Sequence, residues 1–202
     1  MIVLASASPR RKELLSLIVP SFDVLPADID ETPLKDETAE TYVIRMAKEK
    51  AKASLGRYKQ ARPSIQKTVF IASDTSVVID GEILGKPQDI AEAKVMLRKL
   101  SGRSHQVMTS ICLCDQNLDQ LVAENIVTQV SFRSISDVEI EQYWRTGEPV
   151  DKAGSYAIQG LGSLFVTHMS GSYSAVVGLP LYETSQLLTQ FGIQSLEEMC
   201  RE

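Results

Sequence analysis

The spacing of apolar positions along the chain predicts a mixed α/β protein. Apolar runs of strand length begin at Ile2 and at Val69, and such short runs are typical of buried strands. Between them, apolar residues recur at four-residue steps, which predicts a helix from Thr38 to about Arg62. Its apolar stripe consists of Val43, Ala47, Ala51 and Leu55.

Further elements are predicted after residue 88. Asp89 and Ser136 are each followed three residues later by a glutamate, and this spacing predicts a helix that opens with a capping box. Runs rich in Val, Ile and Thr predict strands. The predicted strands are Gln106–Cys114, Leu121–Phe132, Leu164–Val166 and Ala175–Val177, and a last helix is predicted from Pro180 to Phe191.

The stretch from Val69 to Pro87 predicts a hairpin. An apolar strand ends in the polar trio Ser73-Asp74-Thr75, and a second apolar piece precedes Asp80-Gly81. Asp-Gly favours a two-residue turn because both residues tolerate positive φ. Such a turn pairs Ile79 with Glu82, Val77 with Leu84 and Thr75 with Lys86. A surface ion pair at a strand end is the alternative interpretation of these charges.

The first loop and helix predict an anion site. Ser8 suits an N-cap and Pro9 the first helical position, which places Arg10 and Arg11 in the first turn. Free backbone N–H groups flanked by guanidinium groups favour phosphate or carboxylate ligands. Ordinary solvated arginines remain an equally good interpretation at this stage.

Two other groups of charged residues each allow two interpretations. Three carboxylates fall within Asp28–Glu31, and carboxylate oxygens suit a divalent cation, although a solvated turn is commoner. Lys50 lies on or beside the apolar stripe of the predicted helix. Its stem either snorkels past the stripe, the favoured interpretation, or carries the ammonium to an anion in a cleft.

Composition limits the range of functions. The 202 residues are 44% hydrophobic, enough for one core or two small lobes, and the net charge of −5 argues against nucleic acid as a partner. The three cysteines lack metal-ligand spacing, which favours free thiols in a reducing compartment. Neither a signal peptide nor a run of roughly 20 apolar residues is present, so a soluble, cytoplasmic protein is expected.

The remaining polar residues favour phosphoryl chemistry. The sequence contains neither G-x-S-x-G nor a P-loop, and His105 and His168 stand apart. A basic set and an acidic set remain, which together can neutralise phosphates, hold a metal and activate water. The basic set is Arg10, Arg11, Lys50 and Lys86, and the acidic set is Glu31 and Asp74.

Several motifs occur together in a characteristic order. They are SASPRR, DETP, EKA, ASDTSVVIDGEILGKP, LSGRSHQV, DKAGSYAIQG and VVGLPL. Over essentially the whole chain they closely resemble the Maf family of nucleoside triphosphate pyrophosphatases. The resemblance implies one domain over residues 1–202, an α/β fold with two lobes around a mixed sheet and a central cleft, similar to inosine triphosphatase. It also implies hydrolysis of a nucleoside triphosphate to the monophosphate and diphosphate with Mg²⁺ or Mn²⁺.

The resemblance also implies residue roles. Asp74 matches the proton acceptor of the family. Glu31 and Asp74 match its metal ligands. Arg10, Thr75 and Gln159 match positions linked to base selectivity, and Arg11, Lys50 and Lys86 match the phosphate-binding residues. The PRR, Asp-Thr and Ile-Gln elements resemble the branch that acts on dTTP and UTP.

Other functions stay open alongside this expectation. One is a nucleotide-binding regulator of cell division without turnover, and another is a pyrophosphatase of 7-methyl-GTP or ITP. The expected partner is the nucleotide, without nucleic acid or membrane, and a homodimer is left open. On an ideal strand Asp74 faces away from Thr75 and Lys86, so a shared cleft would require a bulge near Ser73.

Overall fold

The computed structural model describes residues 1–62 and 67–200. Seven helices run through the described residues: α1 (Pro9–Ser16), α2 (Ala39–Ala61), α3 (Ile90–Leu100), α4 (Asp137–Arg145), α5 (Tyr173–Val177), α6 (Leu181–Gln190) and α7 (Ser195–Met199). The described residues also form seven strands: β1 (Ile2–Leu4), β2 (Asp23–Val24), β3 (Val69–Ile79), β4 (Glu82–Leu84), β5 (Ser104–Asp115), β6 (Leu121–Phe132) and β7 (Val166–Ser170). The predicted α/β class is therefore confirmed.

All seven strands belong to one mixed sheet. Its order is β2-β1-β3-β5-β6-β7, with β4 paired to β3 off this path. Strand β1 runs parallel to both β2 and β3, whereas β3 with β4 and β6 with β7 are antiparallel. The chain divides into two compact units. The first comprises Met1–Asp74, Thr109–Ile126 and Gly178–Glu202, and the second Thr75–Met108 and Val127–Val177.

The first unit has a core on each face of its strands. Successive strand residues point to opposite faces. Val69 and Ile71 accordingly join one buried cluster together with residues of α1 and α6. Phe70 and Ala72 join another, which includes Ala51 of α2. Because both faces are covered, the first four residues of β3, Val69–Ala72, are apolar without alternation.

The second unit has a core rich in aromatic rings. It gathers buried residues of β3, β4, β5 and β6 with residues of α3 and α4. The ring of His105 packs edge-on against Phe132 and Tyr156, and Phe165 lies against Tyr143 in the same way.

The helix predictions are largely confirmed. Helix α2 begins after its N-cap Thr38, whose side chain accepts from Thr41 N, and its C-cap is Arg62; the residue after it, Pro63, lies outside the described residues. Asp89 caps α3. Helix α4 has the full capping box between Ser136 and Glu139.

Of the two strands predicted near residues 164–177, the first is shifted and the second is wrong. Leu161–Phe165 forms a 3₁₀ helix, and the strand begins only at Val166. Ala175–Val177 is helical, because Ser172 Oγ accepts from Ala175 N at 3.2 Å and thereby starts a helical turn. Helix α7 was not predicted.

The hairpin is confirmed in its turn and its register. Asp80 and Gly81 have φ of 53° and 79°, and Ile79 pairs with Glu82 and Val77 with Leu84. The polar trio does not end the strand, because β3 continues from Val69 to Ile79. The ladder stops before the predicted Thr75–Lys86 pair, since Gly85 O instead accepts from Gly154 N at 3.0 Å.

Candidate active site

A buried lysine joins two carboxylates in the first unit. Lys50 Nζ lies 2.7 Å from Asp74 Oδ1 and 2.7 Å from Glu31 Oε1. The exposed fractions of Lys50 and Asp74 are only 9% and 7%. The favoured interpretation of Lys50 as a snorkelling side chain is therefore wrong, because its ammonium instead forms an ion pair with each of two carboxylates.

The alternation of β3 explains how Asp74 reaches Lys50. Asp74 shares the strand face of Phe70 and Ala72, which belong to the same buried cluster as Ala51 of α2. Ser73 lies on the opposite face, where its Oγ donates to Gly178 O at 2.9 Å. No bulge is needed to aim Asp74 at α2.

Helix α2 also holds the loop that carries Glu31. Tyr42 Oη donates to Glu31 O at 2.9 Å, and Arg45 Nη2 donates to Thr32 O at 3.2 Å. Arg45 in turn forms a hydrogen-bonded ion pair with Glu37. The hydrogen bond from Arg45 is the chief cause that lowers the pKa of Glu37 to about 2. The backbone on both sides of the Glu31–Thr32 bond is thus fixed to one helix.

Sequence reasoning missed Tyr42 and Arg45. Tyr42 precedes Lys50 by eight residues, two four-residue steps, so the two share one helix face. Burial, together with the charges of Asp74 and Glu31, raises the pKa of Tyr42 to about 12. The phenol therefore stays protonated at neutral pH and remains a donor.

The predicted arginines begin α1. Ser8 is its N-cap, and its Oγ accepts from Arg11 N at 3.5 Å. Arg11 Nε donates to Gly178 O at 2.9 Å, the same carbonyl that Ser73 engages. Burial lowers the pKa of Arg11, while the charges of Asp74 and Glu31 oppose that shift.

Arg11, Glu31, Lys50 and Asp74 therefore influence one another electrostatically within the first unit. Arg10 lies in the same helical turn as Arg11 and is partly buried.

Thr75, Lys86 and Gln159 belong to the second unit. Thr75 is half-buried in β3, whereas Lys86 and Gln159 are exposed. The hydrogen bond from Gly154 N to Gly85 O joins the loop before Gln159 to the residue before Lys86. A Cβ at Gly154 would lie 2.8 Å from Val77 Cγ1, so this loop packs closely on the hairpin.

The donor set of Glu31 and Asp74 fits a magnesium-type cation. Asp74 Oδ1 and Glu31 Oε1 each lie 2.7 Å from Lys50 Nζ. The two carboxylate oxygens are therefore separated by no more than twice that distance. Among residues 1–62 and 67–200, no group of three or more His, Cys, Asp or Glu is placed to hold a metal. Mg²⁺ commonly uses one or two carboxylates and takes its other ligands from water and substrate phosphates.

The scaffold and these charges define an α/β protein with a site suited to phosphorylated ligands. A buried lysine and an arginine at a helix N-terminus are the cations that phosphate groups favour, and paired carboxylates suit a divalent cation. Nowhere in the described ranges is a helix long and apolar enough to cross a membrane.

The chain belongs to the family described as Maf-like protein, whose model matches residues 1–191. It is 50% identical over 193 residues to the dTTP/UTP pyrophosphatase of Pseudoalteromonas atlantica, and this match covers 96% of this chain and 98% of that protein. The dTTP/UTP pyrophosphatase of Vibrio vulnificus is 50% identical over 190 residues, covering 94% and 98%. The corresponding protein of Aliivibrio fischeri is 50% identical over 190 residues, covering 94% and 97%.

A solved structure, the Ham1 protein of Staphylococcus aureus, has a TM-score of 0.40 and 17% identity, and the match covers 65% of this chain and 71% of that one. This likeness is too weak to support a conclusion about the fold.

Proposed function

We propose that this chain is a nucleoside triphosphate pyrophosphatase that hydrolyses dTTP and UTP to the monophosphate and diphosphate. The relatives that are half identical over nearly their whole length carry that name. The observation that carries the proposal at the level of chemistry is the buried contact of Lys50 with both Asp74 and Glu31. It brings together charges of both signs around one point.

Asp74 is proposed as the general base. Its carboxylate takes a proton from water as the water oxygen attacks the α-phosphorus. The bond between that phosphorus and the bridging oxygen then breaks, and diphosphate leaves. Its low exposure of 7% limits competing solvation of the carboxylate.

Cationic side chains are proposed to stabilise the negative charge on the phosphates. Arg11, Lys50 and Lys86 are proposed for this role. Glu31 and Asp74 would hold Mg²⁺ or Mn²⁺, which when bound offsets phosphate charge. Since Lys50 contacts both carboxylates, such a cation competes with its ammonium.

Base selectivity is proposed for Arg10, Thr75 and Gln159. The amide of Gln159 has both a donor and an acceptor, which suits a pyrimidine edge that presents both. Its exposure fits a contact with a ligand.

The location and partners are proposed on separate grounds. A cytoplasmic location fits the three free cysteines, because disulfides are rare in reducing compartments. The proposal includes no nucleic-acid partner, given the net charge of −5. A homodimer stays a prediction, which mass measurement in solution would check.

The test is diphosphate release from dTTP with Mg²⁺, comparing wild type with Asp74→Asn. The variant should fold normally by circular dichroism and lose at least ~10²-fold in turnover, the scale of a lost general base. The matched control is Asp80→Asn, the same change in the exposed hairpin turn. Near-normal turnover in Asp74→Asn would refute the assignment.

A substrate panel tests the rest of the proposal. It compares dTTP, UTP, CTP, 7-methyl-GTP and ITP, and dTTP and UTP should have the highest kcat/KM. Binding of dTTP without diphosphate release would point instead to a nucleotide-binding regulator.

A further inference from the structure

Gln159 lies in a short irregular segment. It is exposed and stands between two 3₁₀ turns, Ala153–Ser155 and Leu161–Phe165. No helix or strand ladder fixes the backbone at this position. Its orientation therefore depends on the side chains that hold the two ends of the segment.

Glu148 holds the downstream end. Its carboxylate accepts from Leu161 N at 2.8 Å, from Gly162 N at 2.9 Å and from Tyr143 Oη at 2.7 Å. The N-cap of this 3₁₀ turn is Gly160, which has no capping side chain of its own. Glu148 supplies the cap from outside the turn, and its charge strengthens each bond.

Tyr143 holds the upstream end through the same contact. Its hydroxyl donates to Glu148 and accepts from Ala157 N at 3.1 Å. The exposed fraction of Tyr143 is 4%, so α4 presents this hydroxyl from the core. The backbone is therefore fixed two residues before and two residues after Gln159.

Two glycines let the backbone approach this pair closely. A Cβ at Gly160 would collide with the carboxylate of Glu148. A Cβ at Gly162 would lie 2.7 Å from both Ala157 O and Tyr143 Oη. Gly160 has φ of −123°, so a side chain there would displace the Glu148 carboxylate but would need no left-handed conformation.

We propose that Glu148 and Tyr143 are specificity-determining positioning residues, which hold Gln159 where its amide reads the pyrimidine base. This inference rests on the proposed function. Hydrogen bonds to a base edge discriminate only when donor and acceptor are aligned. A loosened segment lets the amide rotate, so the preference for dTTP and UTP falls more than turnover does.

The test compares Glu148→Gln and Tyr143→Phe with wild type. Glu148→Gln keeps the shape of the side chain but turns one acceptor oxygen into a donor. The ratio of kcat/KM for dTTP to that for GTP should fall about tenfold, and kcat for dTTP should fall less. The control is Glu141→Gln on α4, the helix that carries Tyr143; the partner of Glu141 is Lys94, and the ratio for this variant should match wild type.

A double variant separates positioning from general damage. In a Gln159→Ala background, adding Glu148→Gln should leave the ratio where Gln159→Ala alone sets it. Equal losses for every nucleotide, or an unchanged ratio in both single variants, would overturn the inference. If Glu148→Gln does not fold, Tyr143→Phe carries the same comparison.

Two further readouts are independent of turnover. Amide exchange over residues 157–162 should become faster in both single variants, and unchanged exchange would contradict the inference. If the wild type releases no diphosphate, the proposed function fails, and calorimetric binding of dTTP against GTP replaces the kinetic ratio. Absence of binding to either nucleotide would overturn this inference as well.

Discussion

Replacing Lys50 with methionine should destabilise the first unit more than any change of an exposed lysine. Methionine keeps a side chain of similar length but removes the ammonium that contacts Asp74 and Glu31. Asp74 would then keep its charge in a buried position without this partner. Removing one member of a buried ion pair is costly because the other charge is left desolvated.

The structure sets the size of the effect. The side chain of Asp74 is 10% exposed, so losing its contact with Lys50 should cost about 3–5 kcal/mol, the range for a broken buried pair. The side chain of Glu31 is 52% exposed and can be solvated, so its share is below about 1 kcal/mol. Arg11, whose charge interacts with both carboxylates, offsets part of the loss. We expect Lys50→Met to lower the free energy of unfolding by about 2–4 kcal/mol.

Urea unfolding without divalent cations measures this loss, with Lys52→Met as the control. Lys52 is an exposed lysine on the same helix, and its loss should cost at most about 0.5 kcal/mol. An unchanged m-value would show that the unfolding transition itself is the same. The double variant Lys50→Met/Asp74→Asn removes both charges, so it should be more stable than Lys50→Met alone.

Either of two results would refute this reasoning. One is a Lys50→Met stability within about 0.5 kcal/mol of wild type, the range of ordinary surface changes. The other is additivity of the Lys50 and Asp74 changes, because residues in direct contact should show a coupling energy.

Three other predictions each concern one side chain. Tyr42→Phe removes the hydrogen bond to Glu31 O and should weaken Mn²⁺ binding, measured by electron paramagnetic resonance, by about two- to tenfold. Gln159→Glu should lower kcat/KM for dTTP and UTP relative to GTP by about tenfold in the substrate panel. Burial lowers the pKa of His105 from 6.5 to about 4, so protons bind the unfolded state preferentially between those values. Unfolding free energy should therefore fall by up to about 3 kcal/mol as pH drops from 6.5 to 4, and His105→Gln should flatten that part of the urea-derived pH profile.

Each of these has an outcome that contradicts it. Mn²⁺ affinity equal to wild type in Tyr42→Phe would show that the phenol does not support Glu31. Unchanged substrate ratios would remove Gln159 from base reading. Identical pH profiles for wild type and His105→Gln would show that another group titrates.

Local patterns predicted the elements whose cause is local. The Asp80-Gly81 turn, the stripe of α2 and the capping box of Ser136 each depend on residues close in sequence. The strand predicted at Ala175–Val177 is wrong because the cap that Ser172 provides at the start of this turn outweighs the strand preference of its β-branched residues. The two pieces predicted around Asp74 formed one strand because pairing across the sheet overrides a short polar interruption.

The candidate site was predicted as a list of residues, partly through family resemblance, but not as an arrangement. Lys50 and Asp74 are 24 positions apart, and sequence periodicity favoured solvent for the lysine. Tyr42 and Glu148 were not singled out, because their partners include backbone atoms of other segments. Such contacts leave no periodic pattern in the sequence.

The sequence by itself determined the α/β class, the family and the charged residues that the proposed chemistry uses. Those properties follow from local spacing, from turn residues and from the order of short motifs along the chain. Only the tertiary structure decided that Lys50 is the cation between Glu31 and Asp74, and that Glu148 and Tyr143 hold the segment carrying Gln159. These contacts depend on how helices and loops pack around the sheet, because side chains distant in sequence come within hydrogen-bond range only there.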